Sequence, residues 1–165
     1  MLDVNQFSNH VVIPVLKKME MYSPSAVNLI IGTALQESRL VYIKQLSGPA
    51  LGVMQVEPST LRDLYENYLS YRKHLKSKLD SFVHWNESYE RNWPYLEMHL
   101  TGNLFYSVAV ARTIYWRDKE PMPETLEGQA AYWKRIYNTL EGKGTEEQYI
   151  KAWHRDGLVF ERETE

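Results

Sequence analysis

The sequence predicts one mostly α-helical domain, and three observations lead to that prediction. The chain has 165 residues, which is enough for a single domain with a hydrophobic core. Apolar residues recur at helical spacing, as they do between Asn103 and Trp116. Helix start signals are frequent, and no repeat, low-complexity linker or long charge block marks a second domain. We therefore treat residues 1–165 as one domain.

The start signals place most of the helices in chain order. Ser23 precedes a proline, which predicts an N-cap followed by proline at the first helical position. Pro58 begins a further helix, and Thr145 with Gln148 has the spacing of a capping box. A Pro-Met-Pro sequence interrupts the pattern between the fourth and fifth helices. The predicted helices span residues 7–21, 24–40, 58–78, 103–116, 124–137 and 145–154.

Two stretches lack a regular helical pattern. Glycines 48 and 52, with a proline after the first, predict a loop or a short irregular hairpin over residues 44–56. Residues 80–100 are rich in aromatic side chains but only weakly periodic, so the sequence assigns them no element. These aromatic side chains could line a groove or pack into the core. Core packing is the preferred interpretation for Trp85, Tyr89, Trp93 and Tyr95.

Composition excludes several classes of protein. The net charge is −2, so we expect no nucleic-acid partner and no binding to acidic membranes. The chain has no cysteine, and its five histidines lack metal-binding spacing, so no metal site is predicted. The longest apolar segment, near residues 27–35, is too short to span a bilayer. No basic segment precedes the first apolar stretch, so no signal peptide is predicted.

Glu37 stands at the end of an apolar helix and is the candidate catalytic residue. The apolar residues of segment 27–34 share one helix face, and Glu37 lies three residues beyond Ala34 at its edge. Partial burial raises the pKa of a carboxyl group, because it disfavours the charged form. A general acid that works near neutral pH needs a raised pKa. The alternative is a solvated glutamate that is ion-paired with Arg39 or Lys44.

The loop after Glu37 carries a recognisable pattern. Glu37-Ser38 is followed by Ser47-Gly48, by Leu-Gly-Val-Met-Gln-Val at residues 51–56, and by Pro-Ser-Thr at residues 58–60. This order resembles the soluble lytic transglycosylase family and its goose-type lysozyme relatives. Gln55 follows Glu37 by eighteen positions, as the corresponding glutamine does in that family.

Two further blocks resemble the same family in the same order. Residues 103–115 resemble its helix that begins with asparagine and carries small residues and a tyrosine. Residues 137–144 resemble its Tyr-Asn-Ala-Gly-x-Gly segment, although the segment is longer here. Residues 61–100 match no part of the family pattern, and we treat them as a family-divergent insertion within the domain.

The resemblance implies a fold, a reaction and a set of site residues. The fold would be lysozyme-like, with helices around a substrate groove and a short loop or hairpin after the catalytic helix. The reaction would cleave the MurNAc-β-1,4-GlcNAc bond of peptidoglycan glycan strands and leave 1,6-anhydro-MurNAc ends. Glu37 would act first as general acid and then as base, and no cofactor would be required. The substrate-binding residues would be Ser47, Gln55, Glu57, Tyr137 and Asn138, with Tyr137 bonded to Glu37 or to the reacting sugar.

Glu57 leaves a second reaction open. It lies two positions after Gln55, where many transglycosylases have an uncharged residue and goose-type lysozymes have an aspartate. A carboxylate there could orient a water on the opposite sugar face, which would make the protein an inverting muramidase. Alternatively, Glu57 is a solvated residue just ahead of a helix N-terminus. A virion structural protein with this fold and weak or no activity is a third interpretation.

A wall-degrading enzyme without a signal peptide indicates a bacteriophage protein. It could be a virion component that opens the host wall, with other phage virion proteins as partners, or a lysis enzyme that reaches the periplasm. A bacterial secretion-system accessory also fits. We expect no membrane partner. The basic run at residues 72–78 is interpreted as a solvated helix face.

Overall fold

The computed structural model describes residues 1–83, 92–139 and 142–158, and its regular structure is helical. The prediction of a mostly α fold is confirmed. Within these ranges the only strand-like pairing consists of two isolated antiparallel bridges, from Leu51 to Lys44 and from Leu51 to Val56. The α-helices are α1 (Val4–Phe7), α2 (Ile13–Lys18), α3 (Pro24–Glu37), α4 (Pro58–Asp63), α5 (Lys73–Asp80), α6 (Trp93–Gly102), α7 (Leu104–Trp116), α8 (Leu126–Trp133) and α9 (Glu146–Asp156).

Side-chain caps begin the helices where the sequence predicted them. The Ala26 amide donates to Ser23 Oγ at the start of α3, over 3.1 Å. At the start of α9, the Gln148 amide donates to Thr145 Oγ1 over 3.2 Å, and the Thr145 amide donates to Gln148 Oε1 over 3.0 Å. These reciprocal bonds satisfy amides that would otherwise lack intrahelical partners. Both predicted start signals are confirmed.

The prediction of one continuous helix over residues 58–78 is wrong. A π-helical segment (Leu64–Tyr68) and a 3-10 turn (Leu69–Tyr71) follow α4, and Arg72 then leaves the helical region with φ −133° and ψ 65°. In one continuous helix, residues 65 and 80 would lie about 22 Å apart. The break folds α5 back instead, so that Tyr65 Oη donates to Asp80 Oδ1 over 3.0 Å. A buried tertiary contact therefore overrides the local helical pattern.

Helix α3 is buried on all sides, which is more than the single apolar face that the sequence indicated. Its residues from Ser25 to Leu35 are all buried. Helix α9 lies close against it. The Tyr149 hydroxyl of α9 occupies the space that a side chain at position 32 would fill, so the glycine there permits this close approach. Helix α7 packs on another side, where the Thr33 and Tyr115 hydroxyls are hydrogen-bonded over 2.8 Å. Glu37 is therefore the last residue of a buried central helix.

The insertion predicted at residues 61–100 contributes to the core. Leu96 and Leu100 of α6 are buried, and Trp93 lies edge-on to Tyr65 with ring centroids 6.2 Å apart. Trp93 and Tyr95 pack against the core, in agreement with the preferred interpretation. The other two aromatic residues of that prediction, at positions 85 and 89, lie outside the described residues. No helix in the described ranges is long and apolar enough to cross a membrane.

Candidate active site

A groove with a volume of about 700 Å³ opens at the C-terminal end of α3. Its walls come from four parts of the chain: the end of α3, the loop and the start of α4 at residues 45–60, α7, and the end of α8 with the segment that follows it. Every site residue predicted from the sequence lines this groove: Glu37, Ser47, Gln55, Glu57, Tyr137 and Asn138. Residues separated by up to 101 positions in the chain are thus brought to one surface.

Glu37 is largely withdrawn from solvent at the inner wall of the groove. Burial raises the pKa of its carboxyl group to about 7, and a hydrogen bond from Trp133 lowers it and so opposes burial. Trp133 Nε1 donates to Glu37 Oε1 over 2.9 Å. No ion pair joins Glu37 to Arg39, Lys44 or any other described residue. The solvated, ion-paired alternative for Glu37 is therefore wrong.

The loop opposite Glu37 is a tight turn held by paired backbone bonds. The Leu51 amide donates to the Val56 carbonyl over 2.9 Å, and the Val56 amide donates to the Leu51 carbonyl over 3.0 Å. Between them, Gly52 and Gln55 adopt positive φ angles of 73° and 49°. A Cβ atom on Gly52 would also overlap the Leu100 carbonyl oxygen, so this glycine lets the loop pack directly on α6.

Gln55 contributes both to the turn and to the groove surface. Its Nε2 donates to the Gly52 carbonyl over 2.9 Å, which fixes the orientation of the side-chain amide. Its Oε1 accepts no hydrogen bond from any described residue. The groove therefore receives an acceptor from Gln55, while the donor end of the amide supports the loop.

Tyr137 holds this loop in place and makes no hydrogen bond to Glu37. Its Oη donates to the Met54 carbonyl over 2.7 Å, and its ring stacks on Tyr115 with centroids 5.2 Å apart. Burial raises the pKa of the Tyr137 hydroxyl well above its ordinary value, and the nearby Glu37 charge acts in the same direction. Of the two partners expected for Tyr137, Glu37 is therefore wrong, and the reacting sugar stays a prediction. The Tyr137 hydroxyl donates its proton to the Met54 carbonyl of the loop instead.

Asn138 is oriented by a lysine from the preceding helical turn. Lys134 Nζ donates to Asn138 Oδ1 and to the Gly142 carbonyl, each over 2.7 Å. The next residue, Thr139, has φ 66° and ψ 165°, a conformation that residues other than glycine rarely adopt. Lys134 thus binds both Asn138 and Gly142, and Leu140 and Glu141 lie outside the described residues.

Ser47 and Glu57 lie at the exposed rim of the groove. Glu57 is the residue just before α4, and its Oε2 accepts a hydrogen bond of 3.3 Å from Ser59 Oγ. It carries its charge next to a helix N-terminus, where a negative charge is favourable. The two carboxyl groups of the groove therefore differ, since Glu37 is partly buried and Glu57 is exposed to water.

Sequence reasoning missed two residues that shape this site, Trp133 and Lys134. Both lie one helical turn before predicted residues, because Trp133 precedes Tyr137 by four positions and Lys134 precedes Asn138 by four. Residues four apart on a helix share a face. The spacing could therefore have marked both positions as neighbours of the site.

The chemistry available in the groove is proton transfer by a carboxyl group. A group whose pKa is about 7 is present in both protonation states near neutral pH, and can therefore give up a proton and take one back. Among the described residues, no cluster of three or more histidine, aspartate or glutamate side chains is arranged to hold a metal ion.

Comparisons with protein-family models, with curated proteins and with solved structures find no match to this chain.

Proposed function

We propose that the protein is a peptidoglycan lytic transglycosylase that uses Glu37 as general acid and base. The observation that carries this proposal is the position of Glu37, which has a pKa of about 7 and lines a groove of about 700 Å³. The groove also presents polar groups that suit a sugar chain, including the Gln55 acceptor and the Asn138 amide. The family resemblance of residues 37–60 adds to this support.

Glu37 would act twice in one turnover. Its protonated carboxyl donates a proton to the glycosidic oxygen as the bond from that oxygen to C1 of the muramoyl sugar breaks. The resulting carboxylate then accepts the proton of the muramoyl 6-hydroxyl, whose oxygen forms the new bond to C1. The proton is thereby returned to Glu37, and the products are a free 4-hydroxyl and a 1,6-anhydro end. The reaction consumes no water and needs no second carboxylate.

Glu57 supports inverting hydrolysis as a second candidate. Its exposed carboxylate lines the same groove, where it could orient a water for attack on the opposite face of the sugar. The product would then carry a reducing end in place of the anhydro ring. A virion structural role with weak or no activity is a third candidate, which the departure of the sequence at residues 137–144 from the family's Tyr-Asn-Ala-Gly-x-Gly pattern favours.

The proposed place of action is the cell wall of a bacterial host. We propose a bacteriophage origin, as a virion component or as a lysis enzyme that acts in the periplasm. The partners would be glycan strands and, for a virion component, other phage virion proteins. Mass spectrometry of purified particles tests whether the protein is part of the virion.

Product analysis on purified peptidoglycan sacculi tests the function. We expect the unaltered protein to release fragments with 1,6-anhydro ends, and Glu37→Gln to abolish that release. Glu57→Gln, which removes a carboxyl group from the exposed rim, is the matched control and should retain anhydro products. Reducing ends that disappear in Glu57→Gln would establish the hydrolase instead. Full activity in Glu37→Gln would overturn the catalytic assignment.

A further inference from the structure

Trp133 is the hydrogen-bond partner of the Glu37 carboxyl group. Its Nε1 donates to Glu37 Oε1 over 2.9 Å, although the two residues lie 96 positions apart in the chain. The described part of the protein offers this carboxyl no second side-chain hydrogen bond. An indole N–H can only donate, so Oε1 must accept whether the carboxyl is protonated or ionised.

Packing fixes the direction in which Trp133 donates. Its side chain is fully buried at the end of α8, and its ring packs on Tyr149 with centroids 5.5 Å apart. Tyr149 is itself fully buried, and its hydroxyl donates to the Leu29 carbonyl over 3.3 Å. The absence of a side chain at Gly32 lets Tyr149 approach α3 this closely. The indole is therefore held by the core, and the carboxyl group must rotate to meet it.

A fixed donor on Oε1 determines where the carboxyl proton lies. In a protonated carboxyl, the carbonyl oxygen is the stronger acceptor, so the oxygen that meets the indole N–H is the one without the proton. We propose that Trp133 is a positioning residue that keeps Oε1 as the acceptor and thereby places the transferable proton of Glu37 on Oε2. This inference rests on the proposed role of Glu37 as the acid.

The same bond assists departure of the proton. When Oε2 releases it, the indole N–H faces a full carboxylate, and a hydrogen bond to a charged acceptor is stronger than one to a neutral acceptor. The bond therefore favours the ionised state and acts against burial, which favours the protonated state. Trp133 would keep Glu37 able to serve as base in the second half of the reaction.

Trp133→Phe removes the N–H donor and retains an aromatic ring against Tyr149. We expect the pKa of Glu37 to rise by about one pH unit, measured by NMR on side-chain-labelled glutamate with Glu37→Gln identifying the signal. On purified sacculi, kcat should fall about tenfold with KM within about twofold, and the alkaline limb of the kcat profile should move upward by about one pH unit.

Trp153→Phe is the matched control, because Trp153 is also a buried tryptophan but donates no hydrogen bond to Glu37. It should leave the Glu37 titration and the alkaline limb unchanged. An unmoved Glu37 pKa in Trp133→Phe would overturn the inference. The same change in both variants would also overturn it, since the effect would then come from core packing.

A measurement on the unaltered protein tests the hydrogen bond between Trp133 and Glu37 even if the Trp133→Phe variant does not fold. The indole N–H resonance of Trp133 should shift with a midpoint near pH 7, and this titration should vanish in Glu37→Gln. A resonance that stays constant from about pH 5 to about pH 9 would overturn the inference. This titration needs no substrate. Intact sacculi after treatment with the unaltered protein would instead overturn the proposed function.

Discussion

Replacing Glu37 by glutamine should stabilise the protein at alkaline pH and leave its stability in acid unchanged. Burial favours the protonated form of Glu37, so the folded state holds a proton that the unfolded chain has already released. The amide of glutamine has nearly the same shape and no charge, and its oxygen can still accept the Trp133 hydrogen bond. The substitution therefore removes the cost of burying a charge and retains the contact.

The size of this effect follows from the raised pKa. The folded value of about 7 exceeds the ordinary value of 4.5 by about 2.5 pH units, and each pH unit corresponds to about 1.36 kcal/mol. Below pH 4.5 Glu37 is protonated in both the folded and the unfolded state of the unaltered protein. The unaltered protein then buries no charge at this position, and its full stability is present. This stability is lost as the pH rises to about 7, where the free energy of unfolding of the unaltered protein has fallen by about 3 kcal/mol relative to that of the glutamine variant.

Urea unfolding followed by far-UV circular dichroism measures this difference at a series of pH values. The free energies of unfolding of the two proteins should agree at acid pH and diverge between pH 4.5 and about 7. Glu57→Gln controls for the loss of one carboxyl group, and it should retain the wild-type decline because Glu37 is still present. A constant difference between Glu37→Gln and the unaltered protein at every pH would refute the reasoning.

Two further predictions concern Gly52 in the loop beside the groove and Lys134, which binds Asn138. Gly52→Ala should lower the free energy of unfolding by roughly 2–4 kcal/mol in urea titration, because its φ is 73° and a methyl group would overlap the backbone of α6. Gly102→Ala, where a methyl group meets open space, should change it by less than about 1 kcal/mol. Lys134→Met removes the hydrogen bond to Asn138 Oδ1 and the hydrogen bond to the Gly142 carbonyl, so KM for soluble glycan fragments should rise several-fold with kcat nearly unchanged. A fall in kcat alone would contradict a substrate-binding role for Asn138.

Local signals in the sequence predicted the helix starts and the stretch that forms the hairpin-like loop. Ser23 and Thr145 cap their helices through residues three positions away, so the necessary information lies within one helical turn. The positive φ at Gly52 similarly belongs to a turn closed by its own neighbours. Such features depend little on the remainder of the fold, and a sequence therefore reveals them.

Features that depend on distant partners were not predictable in this way. The chain breaks after Tyr71 so that Tyr65 can reach Asp80, and nothing in the apolar spacing of residues 58–78 indicates that contact. Tyr137 donates to the backbone of Met54, 83 positions away, although the family resemblance directed attention to its neighbour Glu37. Side-chain hydrogen bonds depend on angles between helices, which a periodic pattern does not specify.

The electrostatic setting of Glu37 explains why a tryptophan is a suitable neighbour for it. An adjacent cation would lower the carboxyl pKa by about one to three units, and the group would then be ionised before it could act as an acid at neutral pH. Lys134 directly follows Trp133, yet its ammonium binds Asn138 and Gly142, and no charged side chain contributes to the pKa of Glu37. A hydrogen bond from a neutral donor lowers the carboxyl pKa less than an adjacent cation would, so it offsets only part of the increase that burial causes. The pKa of Glu37 can therefore remain near 7, where both the acid and the base are available.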